Sequence, residues 1–477
     1  MKKEEFCKDN LDKEIECIKD DIKNAFESGD LYKATCLIKY LSWFYYEIAY
    51  TYRDDEIEEM IRGIGHKYLG NNRISETDEN RVVFYDGFGL LNRGLAAIYV
   101  DALLAKGYEV YWVLYEWAPD MESIKHDYPD VIFIVIPKYE IMERMKVLVS
   151  EIVRVRARHL FFYTLPNDVE GAVVFSSING KIFKYLIDLT DHSYWIGADS
   201  VDCIIGFRSI GCNIAKFERG IDSHKIVMLP YYPQSRKRYE YEGMPFDDNQ
   251  RFFFSGGNSY KIEGSSIYEE IVSGVLDRFP DLFFVYAHEK GNGYCRKLDL
   301  LKDKYGMRVV LIEERKDLDE VMRHADFYIE TYPLGGGLII QYALMNNCYP
   351  LSFCDENETQ MNNPKTWLLY PEDIDFCFNS IEQMLNRIDE IETKEYIKKR
   401  KRKLSDHIIS KECFEDELDN IMRNSRTKFV IDDTRADIRK FQDIYIKRFS
   451  FEEYCEIIRK SRNKWIIEKY APNECII

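Results

Sequence analysis

No apolar run in the 477-residue chain approaches the roughly 20 residues that a membrane-spanning helix needs; the longest, around Val131 to Ile136, has the length of a strand. The opening MKKEEFCKDNLDKEIE lacks the apolar stretch of a secretory signal. The 12 cysteines form no CxxC pair and no dense framework, which argues against a disulfide scaffold and reads as free thiols in a reducing compartment. A cytoplasmic location is therefore expected. Positive charge is in deficit, 66 Lys and Arg against 83 Asp and Glu for a net charge of -17. That excludes nucleic acid as the main partner, because neutralising phosphates takes a basic face. Several catalytic signatures are missing too: GxxxxGK[ST], HExxH, GxSxG, and a DxD pair on a strand end. No bound metal and no resident cofactor are expected. The one basic concentration, Lys398 to Lys403 (KKRKRK), is either a solvated helix face or a peripheral contact with an anionic membrane leaflet. In the second case each Lys or Arg adds about 1 kcal/mol.

What is present is a folded chain of more than one domain. It is 46% apolar and 31% charged, outside the range of disordered sequences. Its length suits two or three cores. The first 75 or so residues read as helices: Leu11, Ile15, Ile18, Ile22 and Phe26 recur on one face, Ser28-Gly29-Asp30 breaks the pattern, a second helix covers 31–52, and Asp54 is a good N-cap for a third. From Arg81 the texture becomes alternating strand and helix. Strands are expected at 81–86, 108–115, 131–136, 159–163, 181–189 and 201–207. A turn-rich linker begins at Pro230. A second series of strands follows at 251–255, 282–287, 308–313, 326–330 and 348–353. Near-continuous apolar strands alternating with helices predict parallel sheets covered on both faces. The fold class expected is α/β, with two Rossmann-like doubly wound domains facing a cleft and helical segments at both ends. Boundaries are expected as a helical extension over 1–78, a first Rossmann-like domain over 79–235, a second over 248–375, and a helical region over 376–477 that packs back on the core.

Three loops at C-terminal strand ends carry candidate chemistry. The first, DGFGLLNRG from Asp86 to Gly94, includes Gly87, Gly89, Asn92 and Arg93. Its spacing is not GxGxxG, so a dinucleotide fingerprint is disfavoured; a tight turn and a ligand-facing loop remain. The second, SGGNSYK, offers Ser255, Gly256, Gly257 and Lys261. Free amides followed by an ammonium suit a diphosphate, and a plain connection is the bland alternative. The third, ETYPLGGG, places Tyr332, Gly335, Gly336 and Gly337 at a helix start. Consecutive glycines there are costly unless something must come close, as a phosphate would at a helix N-terminus. Among the eight histidines, His192 within LTDHSYWIG follows a strand, with Asp191 beside it. A structural role and a role as general base both fit.

These stretches together resemble GT-B glycosyltransferases, most closely bacterial enzymes of capsular and exopolysaccharide assembly. The resemblance rests on FYDGFGLLNRGLAAIYVDALLAKGYEV, LTDHSYWIGADSVDCIIGFRSIG, FFFSGGNSYKI and YIETYPLGGG, with SWFYYEIAYTYRDDEIEEMI similar to the helical extension some of these carry. It implies metal-independent transfer of a sugar from a nucleoside-diphosphate sugar, UDP-linked or otherwise, to a glycan, lipid-linked or protein acceptor. By the same resemblance Ser255, Gly256, Gly257 and Lys261 would face the donor diphosphate, with Gly335, Gly336 and Gly337 at the helix N-terminus and Tyr332 among the donor-binding residues. Glu313 would lie near the base, and Arg315 would supply further positive charge. His192 or Asp191 would be catalytic, and Gly87, Gly89, Asn92 and Arg93 would line the acceptor side. One departure stands out. The segment GGGLIIQYALMNNCYP has Gln341 or Tyr342 where such enzymes carry a ribose-binding Glu, and one extra residue before Pro350. A catalytically silent subunit that binds glycan or supports a partner is therefore the alternative, and a nucleotide-sugar epimerase is a third reading.

Overall fold

The computed structural model describes residues 8–91, 95–234, 239–247, 249–288, 295–355, 363–440 and 442. The chain divides into two compact units. One holds the described residues up to Leu229 together with Lys411–Arg435; the other holds Pro230–Ser410.

The first unit opens with helices Lys8–Ser28, Leu31–Ile48 and Asp55–Ile64. Gly29 has φ +84, the left-handed geometry that ends the first helix, and Asp30 starts the second by accepting from Lys33 N at 3.1 Å. Asp54 caps the third through Glu56 N and Ile57 N. On that helix Ile57, Ile61 and Ile64 are buried at a spacing of one turn, each worth about 1.5–3 kcal/mol of apolar burial. The face they form lies on the helix Val169–Ser177 of the α/β layer.

Strands β1 (Asn72–Ile74), β2 (Asp78–Asp86), β3 (Glu109–Tyr115), β4 (Ile132–Ile136), β5 (Ala157–Tyr163), β6 (Ile178–Gly180), β7 (Phe183–Asp188), β8 (Cys203–Gly206) and β9 (Ile226–Met228) follow in chain order. β1 and β6 pair as a small parallel ribbon. The other seven form one sheet in the order β4-β3-β2-β5-β7-β8-β9. Every pair in it is parallel. Val82, Val83, Phe84 and Tyr85 are buried in succession, as a strand covered on both faces must be. The helix Lys411–Asn424 belongs to this unit. It lies on the helix Ala96–Ala105 through Phe414 against Tyr99, and Tyr108 Oη donates to Asp419 at 2.8 Å.

The second unit has strands β10 (Phe252–Gly256), β11 (Phe283–His288), β12 (Val309–Glu313), β13 (Phe327–Ile329), β14 (Tyr349–Phe353) and β15 (Cys377–Phe378). They form a sheet in the order β12-β11-β10-β13-β14-β15. Phe253 stacks on Phe284 at 5.0 Å and on Phe327 at 5.3 Å, centring the core on β10. Both sheets thus carry the doubly wound Rossmann order, in which the chain starts at a central strand, winds out one way and then returns to wind out the other. The α/β class with two Rossmann-like units is as the sequence predicts. β1, β6, β9 and β15, of two or three residues each, are too short to leave a pattern in the sequence.

Candidate functional site

Open parallel sheets bind ligands beyond the carboxyl ends of their strands, at the point where strand order reverses. In the second unit that point lies between the paired strands β10 and β13, joined at Phe254 and Tyr328. The loops that leave these two strands are the two glycine-rich turns. They converge. A Cβ on Gly256 would stand 3.4 Å from Ile339 Cδ1, and one on Gly336 would stand 2.9 Å from Ile339 Cγ2, so a single side chain lies against both. Gly257, at φ +141, donates its amide to Ala287 O at 2.9 Å. Tyr286 Oη in turn donates to the Gly257 carbonyl at 2.9 Å. Ser255 is buried beneath, its hydroxyl accepting from Tyr268 Oη at 2.6 Å.

Lys261 sits between the turns. The Lys261 carbonyl accepts from Leu334 N at 3.2 Å, which ties the two loops together. Its Nζ lies 3.8 Å from the Cβ position of Gly257 and 3.1 Å from that of Gly336. Below it, Glu330 is buried, and its Oε1 accepts from Gly336 N at 2.8 Å, Thr331 N at 3.0 Å, Tyr328 Oη at 3.0 Å and Thr331 Oγ1 at 3.2 Å. Burial raises the Glu330 carboxyl above the usual glutamate range, opposed by the Gly336 amide and the Lys261 charge. In the sequence Glu330 is only the residue that opens its loop. A carboxylate ahead of three glycines is visible in the sequence, but its hydrogen bond to one of those glycines is not.

The remaining residues of this half divide. Gly335 lies close to Glu330. Gly337 serves packing, since a Cβ there would collide with the Trp367 ring. Tyr332 is buried with its ring edge-on to Phe353 at 5.1 Å. Gln341 Nε2 donates to Trp367 O at 3.0 Å, while its buried Oε1 finds no hydrogen-bond partner among the described residues. Tyr342 Oη donates to Gln234 O at 3.1 Å. Arg315 is held by Asp317, with Nε to Oδ1 at 2.8 Å and Nη2 to Oδ2 at 2.5 Å, while Nη1 donates to Gly243 O at 2.7 Å. A guanidinium so engaged braces the loop at 242–243 and has little left for a phosphate. Glu313 is exposed at the end of β12, in register with His288. Within the basic run, Lys399 pairs with Glu390 at 2.6 Å, and Lys401 and Arg402 pair with Asp373 at 3.2 and 2.8 Å.

In the first unit the order reverses between β2 and β5. Asp86 closes β2 and folds the next turn by accepting from Phe88 N at 3.0 Å, Gly89 N at 2.8 Å and Trp112 Nε1 at 3.1 Å. Burial outweighs these donors and pushes its carboxyl up to about 6. Gly89, at φ +60, is pressed against Ala118, so its glycine is required by the turn itself. Gly87 donates to Tyr163 O at 2.8 Å and lies against Asp168, which caps the next helix through Gly171 N. Asn92 and Arg93 lie outside the described residues.

His192 and Asp191 stand elsewhere on this edge, in the turn after β7. Asp191 is buried, both oxygens on Arg208, with Nε at 2.6 Å and Nη2 at 2.8 Å. Bidentate pairing leaves it little capacity to accept a substrate proton, and it reads as a brace for the turn. His192 is half-buried, its Nδ1 3.9 Å from Asp191 Oδ1. The N-terminal helices grip this loop. Tyr52 Oη donates to the His192 carbonyl at 3.1 Å, Ser193 Oγ to Tyr46 O at 2.7 Å, and Gly197 N to the buried Glu58 at 2.8 Å. The role of those helices at the loop is invisible in the sequence, because contacts separated by some 140 residues leave no local signal.

No family model and no curated protein matches the sequence. Among solved structures, the fold is similar to a proposed UDP-N-acetylglucosamine 2-epimerase from Listeria monocytogenes, at 10% identity and TM-score 0.51, covering 74% of this chain and 99% of that one. This is a GT-B fold. A glycosyltransferase from Rickettsia africae aligns at 11% identity and TM-score 0.49 over 80% of this chain and 99% of that one. An O-GlcNAc transferase mutant from Thermobaculum terrenum aligns at 12% and 0.47 over 90% and 82%. At 10% identity the likeness to the Listeria monocytogenes protein speaks for the fold alone. Among the described residues no helix is long and apolar enough to cross a membrane.

Proposed function

We propose that the chain is a glycosyltransferase that takes a nucleoside-diphosphate sugar and holds its diphosphate between the turns 255–261 and 330–336. The observation that carries this reading is the Lys261 ammonium, set 3.1 Å from the Cβ position of Gly336 and 3.8 Å from that of Gly257 at the reversal point of the sheet. Departure of a nucleoside diphosphate builds negative charge on its outer phosphate, and a fixed ammonium stabilises that charge as it forms. His192, half-buried and 3.9 Å from the Asp191 carboxylate, is the group we assign to the acceptor proton. The acceptor we infer is a glycan or other component of surface polysaccharide or glycoconjugate assembly, used at the cytoplasmic side.

Calorimetric titration of the full chain with UDP and GDP tests the binding step. Saturable binding of either nucleotide is expected, and no heat from either at millimolar concentration overturns the reading in favour of a silent subunit. A second reading, a nucleotide-sugar epimerase, is favoured by the likeness to the Listeria monocytogenes protein, whose name carries a UDP sugar. Incubation with a nucleotide sugar and no acceptor separates the two. Epimerisation gives an isomeric nucleotide sugar, whereas a transferase leaves the donor intact or releases free nucleotide.

A further inference from the structure

The cradle between the glycine turns already contains an anion of the protein's own. Gly336 N, an amide at the start of the helix Gly337–Met345 and suited to a phosphate oxygen, donates instead to Glu330 Oε1 at 2.8 Å. Glu330 Oε1 and Lys261 Nζ lie 3.7 and 3.1 Å from the same point, the Cβ position of Gly336. A diphosphate arriving there meets the ammonium and the carboxylate together. Among the described residues, the titratable groups that face Glu330 are Lys261 from the short helix Tyr260–Glu263, Tyr268 from the helix Ile267–Arg278, Tyr286 from β11 and Tyr328 from β13. Of these described groups Lys261 brings the positive charge. Two phosphates added to one carboxylate exceed what a single ammonium balances, and in a buried site such an excess is costly.

We propose that Glu330 sets the strength of the donor-phosphate site by competing for the Gly336 amide, and that a bound diphosphate is accommodated when this carboxyl takes up a proton. The proposal rests on the assignment of the two turns to a nucleotide diphosphate. Burial already raises the proton affinity of Glu330 above that of an ordinary glutamate, so uptake near neutral pH costs less than it would in water. The protonated acid keeps its carbonyl oxygen for the loop donors and loses the charge that repels the ligand.

The test uses the full chain and UDP-glucose, whose phosphates do not titrate between pH 6 and 8.5, with UDP as a second probe. Calorimetry in buffers of different ionisation enthalpy counts the protons taken up. The expected result is uptake approaching one proton per UDP-glucose bound, and a Kd that weakens up to tenfold per pH unit above neutrality. Glu330→Gln keeps an acceptor for Gly336 N without the charge. It is expected to bind at least tenfold more tightly than the wild type at pH 8 and to show no proton uptake. Binding without proton uptake in the wild type, or an affinity in Glu330→Gln equal to or weaker than the wild type, overturns the role of Glu330 while leaving the nucleotide site intact. Absence of binding by both proteins to both probes overturns the nucleotide site itself, and this inference with it.

Discussion

The hydroxyl of Tyr52 donates to the backbone carbonyl of His192 across 3.1 Å, joining the N-terminal helical layer to the turn after β7. Glu58 adds to the same grip, accepting from Gly197 N at 2.8 Å and Asp199 N at 3.3 Å while burial raises its carboxyl. Tyr52→Phe removes one hydrogen bond, at about 1 kcal/mol. Glu58→Ala strands two amide donors and is expected to cost about 3 kcal/mol. Urea midpoints of the two variants check this, and equal losses would show that Glu58 does not carry the loop.

Asp191 and His192 are neighbours in sequence and opposites in surroundings. Removing the carboxylate by Asp191→Asn breaks the buried bidentate pair with Arg208, a loss of about 3–5 kcal/mol. Denaturant unfolding therefore separates two roles. A variant that keeps wild-type stability but loses turnover returns Asp191 to the chemistry.

A titration follows from Asp188 at the end of β7. It is buried, and its carboxyl is pushed up to about 7, by burial first and then by the Asp191 charge, with Arg219, Arg208 and the nearby Trp195 indole opposing. The folded chain therefore holds this proton to higher pH than the unfolded chain, in which an aspartate releases it near ~3.9. Its contribution to stability is fully present below about pH 4 and is lost as pH rises to about 7. Asp188→Asn removes that loss. The urea midpoint of the variant should gain on the wild type from pH 5 to about pH 7 and level off above it, and a pH-independent gap between the two across that range would contradict it.

Much of this was legible in the sequence for local reasons. Phe252-Phe253-Phe254 followed by Ser255-Gly256-Gly257 reads as a buried strand ending in a turn, and both features are local. The two glycine turns could be assigned to one sheet edge because parallel strands all point one way. What escaped was non-local or a matter of competition. Gly337 is small because of Trp367, a packing partner 30 positions along the chain. Arg315 has its counter-ion only two residues away at Asp317, so its engagement was within reach of the sequence, but its third bond to Gly243 was not. Glu330 takes one of the amides that the glycines were expected to present, which no pattern of residue types reveals.

The ammonium itself gives a direct expectation. Lys261→Ala removes the ammonium between the turns, and the rate of sugar transfer should fall by about 100-fold, the loss expected for one preorganised donor to a developing anion, about 3 kcal/mol. Lys261 is half-buried near the mouth of its loop, so thermal unfolding of the variant should stay close to the wild type. Unchanged turnover would place the diphosphate elsewhere.

Two adjacent glycines separate binding from packing. At Gly337 a Cβ would enter the Trp367 ring, and Gly337→Ala must move the indole or the helix start, at about 1–3 kcal/mol of overpacking. Intrinsic tryptophan fluorescence should shift and the melting temperature should fall. At Gly336 the added methyl meets Ile339 Cγ2 at 2.9 Å and Lys261 Nζ at 3.1 Å, both ends of side chains that can turn away. Gly336→Ala should therefore unfold near the wild-type temperature while its nucleotide affinity drops, because the carbon that displaces the ammonium also fills the space a phosphate oxygen would take. If instead Gly337→Ala alone lost affinity with its fold intact, the phosphate would lie toward Trp367 and not beside Lys261.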